Sequence, residues 1–347
     1  MITTSEKLKD FCTRVLAAAG LTKEEALCLS DCMVEADLRG VGSHGVSRLY
    51  YYASRVKSKI INSGSEPEIL SEHGAVMTVD GKNGVGSKVG RWVMDRCIEG
   101  AKRQGAFFAT VNNGNHFGIA AYYTEYAARH DMIGIAVCNA DKSVAPTGGA
   151  APMLGTNPLS IAVPAGKHPP FILDMATSVV ARGKIVLADK EGRKIPSDWA
   201  VDKNGAPTTN PKDAMAGNLL PIGGPKGYGI SLFIDILVSC LGGALDSRRV
   251  NHFWDDFEKP QGIGFFMGAF DISKFVDIDL FKQRMDRTID EFHACPPAPG
   301  YKEVMVAGEP EFRNKQRQLK EGITLSEAVY NDLKKLALEY KVEESLS

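Results

Sequence analysis

Apolar side chains recur at helical spacing through roughly the first 70 residues, then give way to short strand-like runs separated by helical stretches. Positions 4–19 predict an amphipathic helix. A second runs from Thr22, an N-cap with Glu25 three residues on, to Leu38, and Gly40 stops it. A third is expected from Gly45 through Val56. After Pro67 the texture changes. Ala75–Val79, Phe107–Val111, Ile133–Cys138, Leu159–Val163 and Phe171–Leu173 predict strands, with helices over 84–100 and 117–129 and after Asp174. Residues 189–225 look like an irregular connection. Lys226–Leu241 predicts an apolar helix, Gly262–Phe270 a strand and Asp279–Phe292 a helix. Pro296–Gly300 breaks the chain, and Leu325–Tyr340 reads as an amphipathic helix capped by Thr324 or Ser326. Strands alternating with helices predict the α/β class with a layered sheet. The expected division is a helical domain over 1–72, packed with the C-terminal segment 300–347, and an α/β region over 73–299 that carries the binding sites.

Composition narrows this little. The 347 residues suit about two domains, and 44% hydrophobic with 24% charged residues is that of a soluble globular chain. A formal net charge of −1 gives no general pull toward nucleic acid or an anionic membrane. Seven cysteines without CxxC spacing predict reduced thiols in a cytoplasmic protein. No signal-peptide core is visible, and the apolar run Ile230–Leu241 is interrupted by Ser231, Asp235 and Ser239. Neither HExxH nor GxSxG is present, so metal-assisted and serine-hydrolase chemistry have no support, and no metal ligands are expected.

The candidate chemistry centres on two histidines in glycine-rich frames, His44 in Ser43-His44-Gly45-Val46-Ser47-Arg48 and His116 in Asn115-His116-Phe117-Gly118. Placed i,i+4 on a helix, His44 and Arg48 would share a face, joining a proton-transfer group to a guanidinium that grips a carboxylate. His116 is expected between a strand end and a helix start, where the helix dipole disfavours the imidazolium and leaves a neutral base. Gly84-Val85-Gly86-Ser87-Lys88-Val89-Gly90 follows a strand, but its GxGxxxG spacing and the missing acidic residue argue for tight-turn glycines rather than a Rossmann loop. Asp141 follows a strand end. Asp174-Met175-Ala176 could open a helix toward a phosphate, and Lys226 at a helix start would suit an anionic ligand.

These motifs together resemble the malate/L-lactate dehydrogenase family of type 2, which includes ureidoglycolate and sulfolactate dehydrogenases and diketogulonate and cyclic imine reductases. The resemblance runs from Leu8 to Ile323. It rests on Ala36-Asp37-Leu38-Arg39-Gly40, Ser43–Arg48, Asn115–Gly118, Ala145-Pro146-Thr147-Gly148-Gly149, Gly155-Thr156-Asn157-Pro158, Asp174–Ser178 and Lys226-Gly227-Tyr228-Gly229. It implies a non-Rossmann α/β fold and a homodimer with the active site near the subunit interface. It implies proton transfer by His116 or His44, and a substrate pocket of Ser43, Arg48, Asp141 and Thr156. It also implies cofactor contacts at Asp174, Met175, Ala176, Lys226, Gly308, Glu309 and Pro310. The cofactor expected is NAD, with NADP as the alternative. The expected reaction is hydride transfer at C2 of a small 2-hydroxy or 2-oxo acid, malate or lactate first. Ureidoglycolate oxidation, cyclic imine reduction and an idle dimeric nucleotide-binding protein are the alternatives. Thr147, where many malate-type relatives carry an aromatic, and Lys142 are departures from pattern.

Overall fold

The computed structural model describes residues 1–346, apart from the side chains at 187 and 190. Helices α1 (Ser5–Ala19) and α2 (Lys23–Leu38) form a hairpin. The Thr22–Glu25 capping box is present, with both reciprocal bonds made. Where one helix was expected over 45–56, the chain makes two short 3-10 turns, Gly42–His44 and Val46–Arg48, before α3 (Leu49–Lys57) begins. Gly45 is extended between them (ψ −155°), because the Asp37 carboxylate accepts the Val46 amide at 2.8 Å and fills the space beside Gly45. Leu8, Phe11, Val15, Leu29, Met33, Leu49 and Tyr52 join Leu333 and Leu336 in one core. The last two belong to α11 (Glu327–Tyr340), capped by Ser326, which returns to α1 and α3.

A seven-stranded sheet follows. Its strands are β2 (Glu68–His73), β3 (Val76–Asp80), β4 (Ala106–Gly114), β5 (Met132–Cys138), β6 (Leu159–Val163), β7 (Phe171–Met175) and β10 (Ile263–Asp271). A strand pair at the termini (β1, Ile2–Thr3; β11, Ile323–Thr324) and another outside the sheet (β8, Ala200–Val201; β9, Asn218–Leu219) complete the numbering. The sheet order is β2-β3-β4-β10-β5-β6-β7, and only β3 and β4 run parallel, joined by the crossover helix α4 (Gly86–Gln104). One parallel pair among antiparallel neighbours excludes a Rossmann sheet, as expected. The late strand β10 sits at the centre, antiparallel to β4 and β5, and its Phe265, Met267 and Ala269 are fully buried.

Of the glycines of 84–90 only Gly84 belongs to a tight turn, its amide donating to the Gly81 carbonyl at 2.8 Å across Lys82 and Asn83, and none of the three has a positive φ. Gly86 and Gly90 let α4 approach closely. A Cβ at Gly86 would collide with the carbonyls of Asn115 and His116, and one at Gly90 would lie 2.7 Å from the Tyr123 ring. The expected helix at Asp174 is also absent. β7 continues to Met175, irregular chain follows, and α6 begins only at Arg182 (Arg182–Lys190). Beyond it, α7 (Pro211–Ala216) and α8 (Pro225–Ile236) lie inside and after the irregular connection. Two further helices, α9 (Ile278–His293) and α10 (Glu309–Glu321), flank the Pro-rich break.

Candidate active site

His116 lies in the loop after β4, and irregular chain separates it from α5 (Ala121–Ala128). It is therefore not at a helix N-terminus. Its Nδ1 lies 2.6 Å from the Tyr52 hydroxyl and 3.2 Å from the Gly118 amide nitrogen, and its backbone amide donates to Gln261 Oε1 at 3.0 Å. Its Nε2 lies 3.2 Å from Arg48 Nη1. Phe253 packs on the ring at 4.8 Å. Burial first, then the Arg48 cation, push its proton affinity well below the ordinary histidine range. The imidazole is held neutral, but by desolvation and a guanidinium rather than by a helix dipole.

His44 stacks on His116 with ring centroids 5.6 Å apart, and its Nδ1 lies 3.0 Å from Ser43 Oγ. It is half-exposed at the cleft, yet the surrounding protein and Arg48 lower it to about 3. Arg48 does not pair with His44, because the break at Gly45 turns it toward His116. It is buried, its Nε donates to the Ser43 carbonyl at 2.6 Å, and its Cζ lies 4.3 Å from the centre of the Trp254 ring and 5.2 Å from that of Phe253. Among the described residues no carboxylate lies within ion-pair distance of it. Asp141, the nearby acid, is taken by His252 Nδ1 at 2.9 Å. The loop carrying His252, Phe253 and Trp254 is held from behind by the fully buried Arg55, which donates to the Asp256 carbonyl at 2.7 Å.

A cleft of about 690 Å³ leads away from this cluster. His44, Thr156, Asp174, Met175, Ala176, Gly308 and Pro310 line it, with Arg39 and the start of α5 on one wall and Tyr301 and Glu303 on another. Asp174 faces the cleft and accepts the Ala121 amide at 3.1 Å. Asp174 is open to the cleft, yet desolvation by the cleft walls pushes its carboxyl up to about 6. So Asp174 caps α5 rather than opening a helix of its own. Glu309 is turned away from the cleft: it pairs with His293 at 2.7 Å and accepts the Val306 amide. Lys226, exposed at the start of α8, does not line the cleft.

Tyr52, Phe253, Trp254 and Gln261 complete the site without any motif of their own. Tyr52 could have been found: it stands four residues after Arg48, on the first turn of α3, where it shares that face. His252, exposed beside Asp141, had no such signal.

A buried histidine, an adjoining guanidinium with no carboxylate partner among the described residues and a cleft beside them form a candidate site for a small anion. The pattern of the malate/L-lactate dehydrogenase family matches residues 3–334. The L-sulfolactate dehydrogenase of Methanocaldococcus jannaschii is 40% identical over 339 residues, covering 98% of this chain and 97% of that protein. Its solved structure superposes with a TM-score of 0.93 over 99% of this chain and 98% of that one. The malate dehydrogenase of Pyrococcus horikoshii is 37% identical over 346 residues, 97% of this chain and 95% of that one. The NAD(+) ureidoglycolate dehydrogenase of Escherichia coli K12 is 36% identical over 332 residues, 94% of this chain and 93% of that one.

The chain belongs to the malate/L-lactate dehydrogenase family. It is an oxidoreductase of a family that acts on small 2-hydroxy acids with nicotinamide cofactors. The cleft fits such a cofactor. Its walls include the apolar Val41, Ile119, Pro158 and Ile172, and Gly308 closes so tightly on Ile172 that a Cβ would lie 2.9 Å from its backbone nitrogen.

Proposed function

We propose that this enzyme transfers hydride reversibly between a nicotinamide ring and C2 of a small 2-hydroxy acid, malate or lactate first. The observation that carries the reading is Arg48, a buried guanidinium without a carboxylate of its own, set against a neutral histidine. A 2-hydroxy acid supplies what both lack: a carboxylate for the fork and a hydroxyl for the imidazole. His116 takes the hydroxyl proton during oxidation and returns it during reduction. Tyr52 orients the ring through Nδ1. His44, Ser43, Asp141 and Thr156 complete the substrate pocket. The dinucleotide, when bound, accepts or supplies the hydride. Asp174, Met175, Ala176, Gly308 and Pro310 would hold it along the cleft, with NAD preferred to NADP, while Glu309 braces that wall from behind.

A second reading keeps the chemistry and changes the group at the far end of the substrate, to a sulfonate or a ureido group. It is supported by the similarity to sulfolactate and ureidoglycolate dehydrogenases. Steady-state assays of the purified protein with oxaloacetate, pyruvate, sulfopyruvate and cyclic imines, each with NADH and NADPH, separate these readings. Turnover of a 2-oxo acid is expected. Turnover of a cyclic imine alone would replace the hydroxy-acid reading. A thermal-shift series in which oxidised or reduced cofactor stabilises the protein, with no turnover of any of these substrates, would favour an idle nucleotide-binding protein.

A further inference from the structure

Arg48 is already committed to the base. A guanidinium has only donors, so its contact with His116 Nε2 at 3.2 Å is a hydrogen bond only while Nε2 carries a lone pair. That is the lone pair a substrate hydroxyl must reach. The ring proton then sits on Nδ1, 2.6 Å from the Tyr52 oxygen. The Gly118 amide, 3.2 Å from the same Nδ1, favours the opposite tautomer, which would set Nε2–H against the guanidinium. Two fixed donors, Arg48 and the Gly118 amide, and the Tyr52 hydroxyl, which can donate or accept, thus surround two ring nitrogens, and the position of Arg48 decides which nitrogen is free. The guanidinium is one rigid plane, held by the Nε bond to the Ser43 carbonyl and by the nearby Trp254 and Phe253 rings, so it leaves Nε2 only by turning as a unit when a carboxylate accepts its Nη donors. Asp141 does not draw it away, being paired with His252.

We propose that Arg48 caps the catalytic base in the free enzyme, and that the substrate carboxylate uncaps it by taking the guanidinium. This rests on the hydroxy-acid reading above. The carboxylate accepts the Nη donors of Arg48, and the Arg48–His116 bond breaks. The hydroxyl proton passes to the freed Nε2, the C2 hydride goes to the nicotinamide ring, and the C2–O bond becomes a carbonyl. The carboxylate is then required for turnover as well as for binding. A neutral 2-hydroxy compound enters a site whose base is still covered.

The test pairs the best acid substrate with the alcohol that lacks its carboxylate, lactate and ethanol for instance. Formate supplied separately, filling the space the missing carboxylate leaves at Arg48, should raise the ethanol rate of the wild-type enzyme by roughly 10-fold, the lower end of what one charge-assisted hydrogen bond contributes. Arg48→Met, which has no donor, should raise the ethanol rate and lower that for lactate. Formate that merely competes or does nothing, together with a variant slow on both substrates, would overturn the proposal and leave Arg48 a simple clamp. Should Arg48→Met fail to fold by circular dichroism, the formate experiment on the wild type decides alone. Absence of turnover of every 2-hydroxy acid by the wild type would instead remove the hydroxy-acid reading itself.

Discussion

At the residue scale, the site is governed by what surrounds two nitrogens of His116. Replacing His116 with Ala should lower kcat by ~100- to 10,000-fold, measured in single-turnover hydride transfer. Because burial and Arg48 push the His116 proton off, the neutral base persists below pH 6.5. The acid limb of kcat/KM for oxidation should therefore fall below that value. In the substrate complex Arg48 faces a carboxylate, so the limb in kcat should lie at higher pH than the limb in kcat/KM. Coincident limbs near 6.5 would mean that His116 is not desolvated as described. Asp37 makes a second residue-scale case. Its burial raises the carboxyl to about 7, against 3.8 ordinarily. The folded chain keeps this proton where the unfolded chain releases it, so unfolding releases a proton between about pH 4 and 7. Stability from this group is full below about pH 4 and lost as pH rises through about 7, at up to about 1.4 kcal/mol per pH unit. Denaturant titrations of Asp37→Asn should lack that part of the slope. The same carboxylate occupies the space that a Gly45 side chain would need, so Gly45→Ala should displace it and disturb His44.

At the element scale, what sequence could foretell follows local chemistry. The Thr22–Glu25 box and the apolar spacing of α1 predict their helices within a residue or two, because capping and amphipathicity act within a few positions. β2 and α10 escape for the same reason. Glu68–His73 is a largely exposed, polar edge strand, and α10 is a polar helix whose start is set by the left-handed Gly308. The family motifs name His44, His116 and Arg48 but not their pairing. That pairing depends on Asp37 interrupting the helix at Gly45, and on Tyr52, Phe253 and Gln261 arriving from distant segments. Glu309 shows the consequence for the cofactor wall. Its carboxylate joins α9, through His293, to the Val306 amide of the segment that lines the cleft. Glu309→Ala should raise the KM for the nicotinamide cofactor several-fold while leaving kcat near wild type. A loss confined to kcat would place Glu309 in the chemistry instead.

At the scale of the whole molecule, two features point outward. The face of α8 opposite its buried Ser231 and Ile234 exposes Ile230, Phe233 and Ile236, with Phe233 58% exposed, and Leu241 just beyond the helix is 63% exposed. Apolar side chains grouped this way on one helix mark an interaction surface. A homodimer, proposed on the family resemblance, gives them a partner with the same surface, since a two-fold interface is self-complementary. Lys226 starts this helix and does not line its own cleft, so it reaches a cofactor phosphate only if the second copy presents that cleft to it. His116 and Lys226 of one active site would then come from different chains. His116→Ala and Lys226→Ala homodimers should each be nearly inactive. Unfolded together and refolded as a mixture, they should recover about a quarter of wild-type activity, because half the dimers are mixed and each mixed dimer holds one intact site. Phe233→Lys should shift the protein to the monomer mass in light scattering and weaken cofactor binding with it. Mixtures that never exceed the parent activities, from chains that do form dimers, would assign Lys226 to its own subunit or to no site.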